Sequence, residues 1–267
     1  MTTSPDGPAI GPLLRDRRER AGLSQLELAL RADSSARHIS FIETGRTAPS
    51  REMVLKLAAT LDVPVRERNA LLVSAGFAPA FPSTPLDDPA LAGIRTALER
   101  MTAAYEPYPA LVLDGRYQVV AANQGLAALL EGVAPHLLEP PLNAMRVTLH
   151  PEGLAPRIRN LPEWRGHLLD QMNRQLALQR SAPLRELYEE VAAYPVPGLP
   201  DGSDTPPSEP EEARFALPLV IEHQGQTLSF LSTIATFNTP LDVTVSELAV
   251  ETLLPADPAT AKALHRA

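Results

Sequence analysis

Residues that begin and end helices alternate at short intervals through the first eighty positions, which restricts this region to a set of short helices. Gly22, Gly45 and Gly76 each follow a run with helical periodicity, a place where glycine commonly ends a helix. Ser24 and Glu27 match a capping box, in which two side chains bind the free backbone amides at a helix start. The pattern predicts five short helices joined by tight turns.

The apolar positions predict which faces of these helices are buried. The second helix carries Leu26, Ala29 and Leu30 at helical spacing, so we expect these three side chains to face the core. The third helix, capped by one of two adjacent serines, directs Ile39 and Ile42 inward. Its other face is left for solvent or a partner.

The second and third predicted helices, residues 25–32 and 35–44, are joined by a short turn, as in helix-turn-helix proteins. In that motif the second helix enters the major groove of DNA. Arg37 lies on the exposed face and suits a bidentate contact to guanine, worth about 1–3 kcal/mol of discrimination. Gln25, Arg46 and Arg51 suit contacts to phosphates. The predicted DNA-binding residues are Gln25, Ser35, Ala36, Arg37, His38, Ser40, Phe41, Arg46 and Arg51.

Three strings in this region, 23–29 (LSQLELA), 35–46 (SARHISFIETGR) and 49–50 (PS), resemble the Xre/Cro-type helix-turn-helix of bacterial and phage repressors. The resemblance implies a lambda-repressor-like five-helix bundle in which Gln25 contacts the DNA backbone and Ala36, Arg37 and Phe41 face the bases. Many relatives have amide side chains where this chain has Ala36 and Phe41, so no operator sequence can be carried over. The alternative is a small helical domain that binds protein, such as an antitoxin-like module.

The formal net charge of −8 by itself argues against a nucleic-acid-binding protein, but the charge is unevenly distributed. Residues 1–80 hold eleven basic and nine acidic side chains, a net of +2, and the remainder of the chain has a net of −10. The acidic remainder would repel DNA and leave the basic face of the N-terminal region to bind it. Regional charge is therefore compatible with DNA binding.

Other features exclude whole classes of site. The chain has no cysteine, which excludes disulfides, Cys-ligated zinc, iron–sulfur clusters and thiol nucleophiles. No signal peptide or membrane-spanning run is present, so we expect a cytoplasmic protein that does not contact membranes. The histidines are scattered, and glycine patterns for nucleotide binding or a hydrolase nucleophile are missing. We therefore expect no enzymatic activity, no metal and no cofactor.

Proline-rich segments divide the chain. We predict a helix-turn-helix domain over 1–78, a linker over 79–88 and a second domain over 89–267, with an acidic, proline-rich loop at 195–212. The second domain begins with two β-prone runs joined by Asp114-Gly115-Arg116, and Asn123 then caps a helix. A second hairpin turns at 223–225, and alternation of apolar residues over 246–254 predicts a last strand. The fold class is multidomain, α followed by α+β with an antiparallel sheet, and the second domain resembles a PAS domain.

A more specific resemblance extends over nearly the whole chain. The strings 37–46 (RHISFIETGR), 66–72 (RERNALL), 143–146 (NAMR), 150–154 (HPEGL), 228–230 (LSF), 239–244 (TPLDVT) and 251–257 (ETLLPAD) are similar to those of the MmyB-like transcription regulators of bacteria. That family pairs an Xre-type DNA-binding domain with a PAS-like ligand-binding domain associated with fatty acids. The resemblance implies a one-component regulator that binds double-stranded operator DNA. The loop at 195–212 departs from the family in length and composition.

A fatty-acid site needs an apolar slot and one group that binds the carboxylate. We predict a slot lined by Leu111, Val119, Phe230 and Ile234 from the sheet and by Met145, Leu168 and Met172 from helices, with Arg146 as the carboxylate anchor. Each apolar position also fits an ordinary core, and Arg146 also fits a surface ion pair. We further expect a homodimer whose recognition helices lie about 34 Å apart on a palindromic site. A second domain that binds protein or catalyses a reaction, without a lipid ligand, is the alternative.

Overall fold

The computed structural model describes residues 10–178, 181–196 and 216–266. Within them the α-helices are α1 (Ile10–Arg20), α2 (Gln25–Arg31), α3 (Ala36–Glu43), α4 (Arg51–Thr60), α5 (Val65–Ser74), α6 (Ala92–Ala103), α7 (Gln124–Leu129), α8 (Pro135–Leu138), α9 (Ala144–Leu149), α10 (Leu161–Leu178), α11 (Ala182–Ala192), α12 (Val243–Ser246) and α13 (Pro258–Leu264). The strands are β1 (Ala110–Leu113), β2 (Val119–Ala122), β3 (Leu219–His223), β4 (Gln226–Thr236) and β5 (Ala249–Pro255). Apart from Pro195 and Val196, the predicted loop at 195–212 lies outside the described residues.

The chain forms two compact units, each with its own core. Of the described residues, 10–84 and 239–246 form the first unit, and those within 85–238 and 247–266 form the second. None of the described helices combines the length and the apolar character that a membrane span requires.

The first unit contains the five predicted helices, α1–α5. Their facing sides build a core that includes Leu14, Ile39, Ile42 and Leu57, each about 1% exposed. The inward orientation predicted for Ile39 and Ile42 is therefore confirmed. Because each helix is only 7–11 residues long, burial of these side chains rather than helix propensity must hold the bundle together.

Two residues of α2 do not lie where the sequence analysis predicted. Leu26 and Leu30 are 59% and 72% exposed, whereas Leu28, Ala29 and Ala32 are buried. The prediction was wrong for the two leucines because positions 26 and 30 and positions 28 and 32 both have four-residue spacing. On a seven-residue helix the sequence offers no further turn to choose between the two faces.

A short segment from late in the chain completes the first unit. Residues 239–246, which the predicted division assigned to the second domain, carry Asp242, whose carboxylate accepts hydrogen bonds from the Thr84 hydroxyl (2.6 Å) and backbone amide (3.1 Å). The Val243 amide donates to the Pro82 carbonyl at 2.8 Å, and Val243 is buried. This segment follows β4 and precedes β5, so the chain leaves the sheet formed by these strands and returns to it.

The second unit is built on one antiparallel sheet with the strand order β2-β1-β5-β4-β3. The first predicted hairpin is present, and its turn is fixed by the Asp114 carboxylate, which accepts hydrogen bonds from the amides of Arg116 and Gln118. Asn123 caps α7 as predicted. The second hairpin turns at Gln224 and Gly225, both with positive φ. The predicted α+β architecture with an antiparallel sheet is thus confirmed.

Helices cover both faces of the sheet. Leu111 and Leu113 of β1 point into a large core shared with α7, α9, α10 and α11. Val112, on the opposite face, packs in a smaller cluster with Leu98 of α6 and Val250 of β5. Because successive strand residues point to opposite faces, each strand supplies both cores. The face with the larger core borders an apolar cavity.

Candidate DNA-binding surface and ligand cavity

Side-chain caps fix both helices of the predicted helix-turn-helix. The Glu27 amide donates to Ser24 Oγ at 3.2 Å, and the Ser24 amide donates to Glu27 Oε2 at 2.7 Å, so the predicted capping box is present. At the start of α3, Ser35 Oγ accepts a hydrogen bond from the His38 amide at 3.1 Å. Ser35 is therefore the cap of α3, and its hydroxyl is engaged within the protein.

A buried ion pair lies beneath this motif. Arg18 of α1 donates from Nε to Glu43 Oε1 (2.6 Å) and from Nη2 to Glu43 Oε2 (3.0 Å), while its Nη1 donates to the Leu23 carbonyl (2.8 Å). Gln25 Nε2 also donates to Glu43 Oε2, at 2.9 Å. The side chains of Arg18 and Glu43 are only 9% and 1% exposed. The network ties α1, the start of α2 and the end of α3 together.

The environment of Glu43 favours its ionised form. Burial raises the pKa of this carboxyl, but the hydrogen bonds from Arg18 and Gln25 outweigh that effect and hold the pKa below its ordinary value. Neither Arg18 nor Glu43 is among the predicted site residues. Each is a charged residue at a helix position that faces inward, and this orientation is known only once the neighbouring helices are in place.

The exposed face of α3 brings three of the predicted DNA-binding residues together. The Arg37 guanidinium lies over the Phe41 ring, 5.1 Å from its centroid, and the Arg46 guanidinium lies 5.8 Å from the same centroid. No acidic partner is found for either arginine among the described residues. The arrangement is a cation–aromatic cluster with two guanidinium groups left without a counter-charge.

The remaining predicted DNA-binding residues surround this cluster less closely. Ala36 is half-buried and packs against the helical core, while His38 and Ser40 are half-buried on α3. Arg51 is exposed at the first position of α4, directly after the capping residue Ser50. Their contacts to DNA stay predictions.

The second unit contains an apolar cavity of about 70 Å³. It lies between one face of the sheet and the helices α7, α9 and α10. Its wall consists of Leu111, Val119, Leu126, Leu129, Leu130, Leu142, Ala144, Met145, Val147, Thr148, Leu154, Trp164, Leu168, Leu219, Glu251 and Leu253. Trp164 is the single tryptophan of the chain, so its fluorescence reports directly on this cavity.

The structure places some of the predicted ligand-binding residues on this wall and others elsewhere. Leu111, Val119, Met145 and Leu168 line the cavity. Met172 and Phe230 are fully buried in the adjoining core, and Ile234 is 48% exposed on β4. The first four are therefore positioned to contact a ligand, whereas the other three are not part of the wall.

Arg146, the predicted carboxylate anchor, lies outside the cavity wall. Its guanidinium makes a two-pronged ion pair with Glu190 of α11, at 2.8 Å from Nε and 2.7 Å from Nη2. The Tyr194 hydroxyl donates to the same carboxylate at 2.6 Å. Hydrogen bonding from Arg146 lowers the pKa of Glu190, and burial together with this acid raises the pKa of Tyr194 to about 12. In this arrangement Arg146 ties α9 to α11.

Glu251 is a cavity residue that sequence analysis did not identify. It lies on β5 with Leu253 on the face that borders the cavity, and its Oε1 accepts a hydrogen bond from Ser232 Oγ at 2.6 Å. Burial raises the pKa of its carboxyl above the ordinary value. Nearby Tyr117 has its hydroxyl pKa raised to about 12, by burial first and by Glu251 second. The sequence feature that could have identified Glu251 is an acidic residue within a largely apolar strand.

One group of side chains has the composition of a metal site. His136, His150 and Glu152 offer three ligand atoms within 4.8 Å of one another. However, the Glu152 amide donates to His150 Nδ1 at 3.0 Å, so that nitrogen's lone pair is already engaged. Two of the three residues are exposed, and the ring pair is held edge to face.

Comparison with known proteins yields two family matches. The model described as helix-turn-helix matches residues 14–68, and the model described as the ligand-binding domain of MmyB-like transcription regulators matches residues 94–267. None of the curated proteins matches the chain. A solved structure described as an RNA-binding light-oxygen-voltage receptor is similar at 11% identity with a TM-score of 0.30, covering 97% of this chain. The chain spans 60% of that structure's length, and so low a score supports no conclusion.

Proposed function

This chain belongs to the MmyB-like transcription regulators, and from that premise we propose that it binds operator DNA through α2 and α3 under the control of an apolar ligand in the second unit. The single observation that carries the DNA-binding part is the Arg37–Phe41–Arg46 cluster on the outer face of α3. Its guanidinium groups have no acidic partner among the described residues. The buried Arg18–Glu43 pair holds that helix in place from below.

Stacking on Phe41 affects the entropy that the Arg37 side chain would lose on binding DNA. A guanidinium that is already held over a ring loses less side-chain entropy on binding than a free one. Arg37 is the base-reading candidate because it lies in the first turn of α3, the part of a recognition helix that contacts base edges. Arg46 and Arg51, beyond the helix, are the phosphate candidates.

The test of DNA binding is selection of preferred sites from a random duplex library by the full chain and by Arg37→Ala. We expect the variant to lose preference at the position that Arg37 reads, by about 1–3 kcal/mol, while retaining non-specific binding. Arg20→Ala is the matched control, since Arg20 is an exposed arginine on α1 paired with Asp16. Unchanged site preference in Arg37→Ala would refute the base-reading assignment.

Arg46→Ala should behave differently from Arg37→Ala. A phosphate contact carries no sequence information, so its loss should weaken all sites alike and reduce the salt slope by about one. Affinity measured over a range of salt concentrations distinguishes the two roles. If Arg46→Ala changes the site preference but not the salt dependence, Arg46 contacts bases rather than phosphates.

A fatty acid is the first candidate for the ligand, because the cavity wall is almost entirely apolar. Each methylene group transferred from water gains about 0.8 kcal/mol. At about 70 Å³ the cavity is several-fold smaller than the sites of about 300–1,000 Å³ that hold drug-sized ligands. A long acyl chain would therefore have to displace wall side chains, for which flexible Met145 is suited. Ligand binding would then favour the conformation with the opened cavity.

Native mass spectrometry of the protein from its host, with thermal stabilisation by C12–C18 acids, tests the ligand. Val147→Phe places a larger side chain in the cavity. It should abolish thermal stabilisation by these acids and the accompanying change in Trp164 fluorescence. Val120→Phe, at an exposed position on β2, is the control. No bound lipid and no stabilisation would favour the alternative, a second unit that binds protein or catalyses a reaction.

A homodimer completes the proposal, because two recognition helices about 34 Å apart match successive major grooves on one side of DNA. Light scattering on the full chain, alone and with a palindromic site, measures this. A strictly monomeric protein that binds a single half-site would contradict it.

A further inference from the structure

One acidic side chain stands out on an otherwise apolar wall. Among the described residues that line the cavity, Glu251 is the one ionisable group, and the Thr148 hydroxyl and the Trp164 indole N–H are the other polar groups. Glu251 is paired in the sheet with Leu111 on one side and Ile234 on the other, within the central strand β5. A carboxyl group at this position costs stability unless it is hydrogen-bonded or uncharged.

The hydrogen bonds of Glu251 leave one oxygen available. Oε1 accepts from the Ser232 hydroxyl, so the proton of the neutral carboxyl resides on Oε2. No hydrogen bond or ion pair to Oε2 occurs among the described residues. Burial raises the pKa of this carboxyl, which favours the protonated form. In its protonated form the Glu251 carboxyl on the cavity wall therefore has an O–H without an acceptor among the described residues.

The charges around the cavity disfavour an anionic ligand. No arginine or lysine is part of the described wall, and Arg146 on the neighbouring helix is already paired with Glu190. A carboxylate placed beside Glu251 would be an anion without a counter-charge next to a second acid. An uncharged acceptor such as a hydroxyl, ketone or ester oxygen meets the free O–H without that penalty.

We propose that Glu251 binds the polar end of the ligand, and that the cavity takes apolar molecules whose polar end is uncharged and accepts a hydrogen bond. A fatty acid then enters in its protonated form, and alcohols and esters of the same chain length bind more tightly than the carboxylate. This selectivity rests on the proposed ligand control of the second unit.

The experiment titrates the full chain with 1-decanol, methyl decanoate and decanoate at pH 7.5, with Trp164 fluorescence as the readout. Wild-type protein should bind decanol about tenfold more tightly than decanoate, the equivalent of one hydrogen bond. Glu251→Gln keeps a donor and removes the acid, so decanol binding should stay within about threefold while decanoate binding improves. Glu251→Leu should weaken decanol binding about tenfold. Thr148→Val, which removes the hydroxyl of the wall, should leave the selectivity unchanged.

The outcomes separate this proposal from the one on which it rests. Equal affinity for decanol and decanoate in wild type overturns the role of Glu251, as does full decanol affinity in Glu251→Leu, and both leave ligand control intact. Binding of none of the three probes, together with no effect of Val147→Phe, overturns ligand control and this proposal at once. Glu251→Gln, which preserves shape, provides the result if Glu251→Leu fails to fold.

Discussion

Glu43→Leu tests whether the buried ion pair holds the DNA-binding helices in place. The substitution removes the acceptor of both Arg18 hydrogen bonds and of the Gln25 amide. Leucine fits an apolar core, but the Arg18 guanidinium, 9% exposed, keeps only the exposed Glu19 carboxylate, 3.4 Å from its Nη2, as a counter-charge. We therefore expect the loss to exceed the net contribution of the pair itself.

The magnitude follows from the burial of both partners. Removing one member of a buried pair costs about 3–5 kcal/mol, because the other charge is left uncompensated. Each kcal/mol lowers the melting temperature of a domain of this size by about 4–8 °C, so a drop of at least about 12 °C is expected for the first unit. The exposed pair Lys56–Asp33 is the contrast, since Lys56→Gln should cost about 0–1 kcal/mol.

Hydrogen exchange on the full chain is the suitable assay because it reports on α1–α5 separately from the second unit. Amides of α1 and α3 should exchange about a hundredfold faster or more in Glu43→Leu. The double variant Arg18→Met with Glu43→Leu removes both charges and should regain most of the lost protection. A single variant within about 1 kcal/mol of wild type, or a double variant less stable than Glu43→Leu, would refute this reasoning.

Two further predictions concern the acids of each unit. Asp242→Ala removes the cap of α12 and the acceptor for Thr84, so we expect about 1–3 kcal/mol of lost protection in residues 239–246 by hydrogen exchange, with Leu241→Ala, at an exposed position, as the neutral control. The two units should also differ in pH dependence. The folded pKa of Glu43 is lowered, so its contribution is present above the ordinary carboxyl range near pH 4 and is lost as the pH falls below it. The folded pKa of Glu251 is raised, so the contribution of this one group to the stability of the second unit declines as the pH rises above that range. Melting curves from pH 3 to 9 measure both effects. If Glu251→Gln loses stability with rising pH as steeply as the wild type, the contribution assigned to Glu251 is wrong.

Much of the fold could be predicted from the sequence because its signals are local. The capping box at Ser24 and Glu27 depends on residues three apart, and Asn123 likewise caps a helix that starts beside it. The strand predicted over 246–254 is present only from Ala249, because Ser246 ends α12, and Leu248 and Val250 face α6 rather than the cavity. Periodicity shows that a strand has two faces. It does not show which helices cover each face.

The candidate sites also contain residues that local sequence patterns predict and residues that they do not. Arg37, Phe41 and Arg46 could be predicted as a group because the turn and helix that carry them are continuous in sequence. Arg146 forms an ion pair with Glu190, a residue 44 positions away, and no local pattern indicates that partner. Leu26 was placed on the buried face of α2 because a short helix has two stripes that satisfy the same spacing.

Residue type and near-neighbour spacing suffice to predict a division into two domains, the helix-turn-helix with its capping residues, and the uneven distribution of charge. Contacts between distant segments are needed to find that Glu43 neutralises Arg18, that residues 239–246 pack with the first unit, and that Glu251 borders the cavity. Burial and hydrogen bonding of these groups arise between segments far apart in the chain. The physical reason is that a charge acquires its role from its surroundings, and those surroundings exist only once distant segments have packed.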